Sequence, residues 1–289
     1  GHLDADGKKQ GHGLLTQNIL RSTYDGEWKD SKRHGIGKLS LDLFGIHYDG
    51  QFSMNSFDGV GKLTLPDGST YSGSFRKGVM HGAGTFVDAT NISTYTGDFV
   101  EGIKHGTGQE KYEDGSTYVG TFALGKRSGT GDLFERSKDS TPKLVYQGEW
   151  QEDGICGVGK RFGLTTPCPG SFEGEFRKGG LRHGHGTFSA DDGFVLEGQW
   201  RDDKPVDGDW AITAPDGSTF YGTAKCSTEQ KIPVAHGFGT HNGTNGDFYS
   251  GSFVDGLRHG CGLCVFSTGE QWDGKWERGK FVKYGRERP

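Results

Sequence analysis

The chain of 289 residues has only 8 prolines, 2 methionines and 5 cysteines, and no apolar run approaching the ~20 residues a membrane-spanning helix needs. Cys156, Cys168, Cys226, Cys261 and Cys264 form no regular framework. An odd count suits a reduced, cytoplasmic protein better than a disulfide scaffold. A net charge of -5 with a pI near 6.1 lacks the basic stripe of a nucleic-acid binder. With 31% hydrophobic residues and a mean hydropathy of -0.68, bulk composition points toward disorder. The aromatic residues reverse that reading, because 20 of the 35 fall into two columns set on either side of a recurring glycine.

The pattern Tyr-x-Gly-x-(Trp/Phe) opens at Tyr24, Tyr48, Tyr71, Tyr95, Tyr118, Tyr146, Phe172, Leu196, Phe220, Tyr249 and Trp272. A glycine stands two residues after every start. Four residues after each start comes a second aromatic (Trp28, Phe52, Phe75, Phe99, Phe122, Trp150, Phe176, Trp200, Phe253, Trp276), with Ala224 the exception. Self-similarity at this period marks a repeat array, in which each unit packs on its neighbours. Positions two apart share one side of a strand, so the aromatics occupy one face and residues such as Asp25, Glu27, Asp49 and Gln51 the other.

Turn residues such as Arg76-Lys77-Gly78 follow, then a second strand with paired glycines, as at Gly35 and Gly37 or Gly82 and Gly84. Each repeat therefore reads as one β-hairpin. The glycines mark places where a ring or a neighbouring backbone comes close.

Tyr24-Asp-Gly-Glu-Trp-Lys-Asp30 with His34-Gly-Ile-Gly37, and Tyr71-Ser-Gly-Ser-Phe75 with His81-Gly-Ala-Gly84, resemble the MORN (membrane occupation and recognition nexus) repeat. The resemblance covers nearly the whole chain. It implies an all-β, elongated, twisted antiparallel β-hairpin solenoid of about eleven repeats plus a truncated N-terminal one, with a groove along one side. Two strands per hairpin would advance it by ~10 Å per repeat, a rod on the order of 100 Å.

The whole of 1–289 reads as one continuous array: a truncated repeat over 1–23, regular repeats over 24–131, irregular repeats with insertions over 132–246, and C-terminal repeats over 247–289. Gly1 in place of methionine is expected of a piece or processed form of a longer protein. Extra residues fall in Glu135 to Leu144, Thr165 to Ser171 and Cys226 to Val234, and loops of this kind tolerate insertion cheaply. A bend is expected near the degenerate repeats at Leu196 and Phe220. Asn91-Ile-Ser and Asn242-Gly-Thr match the glycosylation pattern, which only a secreted chain would use.

Apparent catalytic motifs dissolve into the period. Gly120 to Lys126 and Gly274 to Lys280 have phosphate-loop spacing, but Arg127 and Phe281 stand where a magnesium-holding Ser or Thr belongs. No nucleophile, base and oxyanion-donor set assembles, so the chain is expected to be non-enzymatic, with no cofactor. His34, His81, His105, His183, His236 and His259 fall in one column, where a structural role is favoured over pH sensing or anion binding. Cys261 and Cys264 with His259 are the best metal candidates, but three residues apart on a strand the two thiols point to opposite faces.

Binding remains. The leading expectation is a scaffold that takes a partner helix or extended peptide along an aromatic-lined groove built from Tyr24, Trp28, Tyr48, Phe52, Tyr71, Phe75, Tyr95, Phe99, Tyr118, Phe122, Tyr146, Trp150 and Trp200. The resemblance implies work at a membrane or cytoskeletal structure, and homodimers in some members. A second expectation is phospholipid binding through turn cations: Lys29, Lys32 and Arg33; Arg76 and Lys77; Arg177, Lys178 and Arg182. A third, also implied by the resemblance, is an accessory region of a lipid kinase or SET-type methyltransferase whose catalytic domain lies elsewhere.

Overall fold

The computed structural model describes residues 1–19, 21–90, 92–226 and 232–284. The fold is all-β, built of successive antiparallel hairpins as the repeat demands. It packs as two units, Gly1–Leu144 with Gln151–Asp153, and Val145–Trp150 with Gly154–Pro289.

In the first unit, Ser22–Lys29 and Lys32–Leu41 form the Tyr24 hairpin, and each later hairpin pairs antiparallel with its predecessor. Two residues join the strands of each hairpin, and both have left-handed φ, as at Asp30 (49°) and Ser31 (63°) or Met54 (50°) and Asn55 (76°). That geometry matches the right-handed twist of the flanking strands. The turn amide then reaches back: Asn55 N–H donates to the Arg33 carbonyl at 3.0 Å, and Gly102 N–H to that of Met80 at 2.9 Å. Neighbouring hairpins are thereby stitched at their tips. Two of the links between hairpins are Asp-Gly turns in which an aspartate caps the chain: Asp67 Oδ1 accepts from Ser69 N–H at 2.9 Å and Asp114 Oδ1 from Ser116 N–H at 2.8 Å.

The second unit repeats the scheme from Gly154–Leu164 to Lys280–Tyr284. Leu196 pairs with Ile212 and Ile212 with Phe220, so the ladder continues through the degenerate hairpins, its register stepping between Glu197–Ala211 and Trp200–Pro205 and again between Gly222 and Ala224. Of the insertions, Glu135 to Leu144 closes on itself through Ser137, Asp139 and Thr141. Thr166 in the second accepts a hydrogen bond from Arg182 Nη1 at 3.3 Å. Residues 227–231 of the third, and Asn91 of the first glycosylation match, lie outside the described residues.

Candidate functional site

The opening tyrosine and the two glycine columns form one device. Gly73 and Gly84 face each other across the ladder. The Tyr71 ring lies over them, and its hydroxyl donates to the Ser74 carbonyl at 2.9 Å. A methyl on Gly84 would sit 2.4 Å from the ring, and one on Gly73 would sit 2.5 Å from the Gly84 Cα. The same hydroxyl bond recurs from Tyr24 to Glu27, Tyr48 to Gln51, Tyr95 to Asp98, Tyr118 to Thr121, Tyr146 to Glu149 and Tyr249 to Ser252. Only glycine leaves room for a ring flat against the sheet. Burial pushes these phenols up, to about 12 for Tyr48, Tyr118 and Tyr249.

The second aromatic bridges hairpins. Phe52 meets Tyr24 edge-on at 5.2 Å and Tyr48 at 5.0 Å, and Phe75 likewise joins Tyr48 to Tyr71. Such pairs contribute roughly 0.5–1.5 kcal/mol each beyond the area they bury. The thirteen residues expected to line a partner groove, from Tyr24 to Trp200, are therefore the core, none more than 9% exposed. Their edges interlock and leave a partner little ring area.

What stands over that core is a column the sequence reading did not single out. Each member pairs across the hairpin with the second aromatic: Arg33 with Trp28, Phe57 with Phe52, Met80 with Phe75, Lys104 with Phe99, Arg127 with Phe122, Arg182 with Phe176, Arg258 with Phe253. Basic members lay their heads over rings. Lys9 is 4.5 Å from the Trp28 centroid, Arg33 5.7 Å from Phe52, Arg182 4.6 Å from Trp200 and Arg258 5.0 Å from Tyr249. Phe57 stacks on Tyr48 at 3.8 Å. A column of alternating cations and apolar groups was visible in the sequence once the glycines fixed the register, but it does not repeat one residue type.

The buried polar residues lie on this face. Glu110, 7% exposed, stands where other hairpins carry Leu39, Leu63 or Phe86. Lys104 Nζ pairs with Glu110 Oε1, and the Tyr112 hydroxyl donates to its Oε2 at 3.1 Å. That carboxylate and burial together raise the Tyr112 phenol. Arg182, 5% exposed, donates from Nε to Asp203 Oδ1 at 3.1 Å and from Nη2 to the Asp203 carbonyl at 2.8 Å.

Arg182 is thus committed to the fold, contrary to its expected place among lipid-headgroup cations. Arg76 is paired with Glu101 at 3.2 Å and Arg177 with Asp202. Lys77 and Lys178 sit at exposed turns. The metal candidates are not brought together: Cys261 is exposed, while Cys264 is fully buried and accepts from Arg258 Nη1 at 3.3 Å. Among the described residues no group of three or more His, Cys, Asp or Glu is placed to hold a metal ion.

The histidine column is real in register, each ring following a member of the basic-apolar column. His183 Nδ1 lies 3.6 Å from Asp202 and His236 Nδ1 3.5 Å from Asp255, both in the turn of the next hairpin. Nδ1 of His34 and of His81 is buried without a hydrogen-bond partner.

Nine segments match the family described as MORN repeat: 24–41, 48–70, 71–91, 95–117, 118–133, 146–162, 172–195, 197–206 and 249–271, together more than half of the chain. The comparison with curated proteins returns no match. Among solved structures, the chain is similar to the wild-type TCP10 domain of Danio rerio CPAP in complex with a peptide of Danio rerio STIL, at 12% identity over 95% of this chain and 98% of that one, with a TM-score of 0.23. No helix among the described residues is long and apolar enough to cross a membrane.

Proposed function

The chain belongs to the MORN repeat family, and from that premise we propose that it is a non-catalytic scaffold that captures a helix or extended peptide of a partner protein against the basic-apolar column. The observation that carries this reading is the half-buried state of Phe57, Met80, Phe86 and Ile155 above a core that needs nothing further to close it. Side chains of this kind lose water on contact with an amphipathic segment, which is how grooves in repeat proteins gain affinity. Replacing Phe57 and Met80 together with serine should cut the capture of a partner from its native extract at least tenfold while circular dichroism stays unchanged. Undiminished capture would reject this face as the binding surface.

A second reading has its own observation. The hairpin tips of the first unit expose Met54 (52%), Val100 (41%), Ile103 (46%) and Leu124 (80%) beside Arg76 and Lys77. Apolar tips flanked by cations suit the interface of an anionic bilayer. On this reading Leu124→Glu with Ile103→Glu abolishes flotation with phosphatidylserine vesicles, and vesicle-free protein in the wild type would reject it. Membrane or cytoskeletal placement, homodimers and a neighbouring catalytic domain are further readings of the family resemblance.

A further inference from the structure

The basic residues over the aromatic core differ in one respect that follows from the next hairpin's turn. Arg127 meets Asp153, whose Oδ1 accepts from both its backbone N–H at 2.9 Å and its Nε at 3.4 Å. Arg182 meets Asp203 in the same way. Arg33 meets Asn55 at the corresponding position: the amide oxygen accepts the Arg33 backbone N–H at 2.8 Å but supplies no charge. Among the described residues the guanidinium itself makes one hydrogen bond, a 3.4 Å contact from Nη2 to the Asn55 carbonyl. Lys9, one hairpin earlier, meets Ser31, whose hydroxyl accepts the Lys9 backbone N–H at 2.9 Å.

Neither Lys9 nor Arg33 has a carboxylate within ion-pair distance among the described residues. Burial lowers the affinity of Arg33 for its proton, the cost of holding a charge against Tyr24 and Phe52 without a counter-charge. Half-buried cations without a counter-charge are unusual, because ring faces and a long carbonyl contact return only part of the solvation that is lost.

Lys9 and Arg33 lie in successive hairpins, two strand spacings or about 10 Å apart. Half-buried Phe57 stands one hairpin on from Arg33 at the same position along its strand, and half-buried Leu15 lies further along the strand of Lys9. An incoming segment therefore meets two cations beside an apolar floor. Residues seven apart on one face of a helix are separated by about 10.5 Å, the same interval.

We propose that Lys9 and Arg33 receive two carboxylates of an acidic amphipathic helix from a partner protein, laid on the first unit with its apolar side over Phe57 and Leu15. The proposal rests on the peptide-capture reading and adds the charge and spacing of the partner. Lipid phosphate fits less well, because Arg76 at the turn edge, where a bilayer would arrive, already holds Glu101. The recessed cations, by contrast, are open to a narrow segment.

The test uses the full chain and two synthetic helical peptides of leucine and alanine, one with glutamates seven residues apart and its twin with glutamines. The glutamate peptide should bind about tenfold more tightly, equivalent to roughly 1.4 kcal/mol. Arg33→Gln should bring the two peptides within about threefold of each other. Asn55→Asp should do the same without disturbing the fold, since it reproduces the Asp153 arrangement and Asp153 holds the same left-handed turn position at φ 70°. A preference unchanged by Asn55→Asp overturns the proposal. Equal binding of both peptides overturns it too but leaves peptide capture standing, whereas failure of both to bind removes both. Arg33-dependent binding of phosphatidylserine vesicles with no binding of the glutamate peptide would assign the cations to lipid and overturn it as well.

Discussion

Trp210 pairs with Gly222 on one side and lays its indole over Gly198 of the strand on its other side, in the column where other hairpins place a second glycine. A methyl on Gly198 would come 2.5 Å from the indole, so the ring covers that glycine as tyrosine covers it elsewhere. Leu196, in the tyrosine column, is too short to do so, and Ala224, in the second aromatic column, is two strands away. Trp210 is 1% exposed and donates from Nε1 to the Val206 carbonyl at 2.9 Å. One bulky residue from the neighbouring strand thus supplies the ring that Leu196 does not.

Trp210→Ala should therefore destabilise the second unit by about 3–5 kcal/mol, the usual cost of emptying a large aromatic site. Exchanging the two solutions, Leu196→Tyr with Trp210→Gly, should recover most of that loss. Urea unfolding followed by tryptophan fluorescence measures both. Equal stability of Trp210→Ala and wild type would contradict the compensation.

Gly84→Ala is expected to cost at least about 2 kcal/mol through overpacking against the Tyr71 ring. Removing only the hydroxyl, in Tyr71→Phe, should not relieve it, because the clash involves ring carbons at 2.4 Å as well as the oxygen. Tyr71→Leu should relieve part of it. Thermal melts of the single and double variants check this order.

The buried tyrosines make the fold sensitive to strong alkali. A phenol whose pKa is near 10 in the unfolded chain and about 12 in the fold, as for Tyr48, Tyr118 and Tyr249, favours the folded state as long as it stays protonated. That contribution is complete below pH 10 and disappears as the pH rises from 10 through about 12. Tyrosinate absorbance from these residues should appear together with loss of β-sheet circular dichroism. Early tyrosinate absorbance with the sheet intact would show the rings to be accessible.

Lys104→Met should destabilise the first unit by about 3 kcal/mol, because Glu110 is left buried without its cation. Adding Glu110→Leu restores the residue type found at Leu39 and Leu63, and should return stability to wild type or above. Denaturation of the single and double variants supplies the coupling energy.

The hairpin, its face assignment and the close approach at glycine were legible because each rests on spacing within one repeat. Tyr71, Gly73, Phe75 and Gly84 all lie within a single period, so their relation could be read directly. The burial of Trp28 or Phe52 was not legible, since it depends on an edge-on ring from the neighbouring hairpin. Pairing of Arg182 with Asp203 was hidden for the same reason: 21 residues separate them, and only the stacked turns bring them together. Trp210 lies outside every aromatic column, and its role appears only when the strand partner is known. A table of repeats aligned to one another, in place of a linear reading, would have put Arg33 beside Asn55 and Arg127 beside Asp153.

The amide of each turn that reaches back to its predecessor restricts how the chain can change length. Gly78 donates to Phe57, Gly102 to Met80 and Gly125 to Lys104, so each of these tips is a key cut for the lock before it. An extra residue is taken up in the tip where it falls: in the three-residue turn of Lys178, Gly179 and Gly180, Gly180 N–H donates to the Arg177 carbonyl, while Asp203 still reaches back to Arg182. Duplicating or excising a whole hairpin leaves each key with a lock. Within each unit the ladder therefore grows or shrinks most simply by whole hairpins, and gene-level duplication is the natural way to lengthen or shorten it.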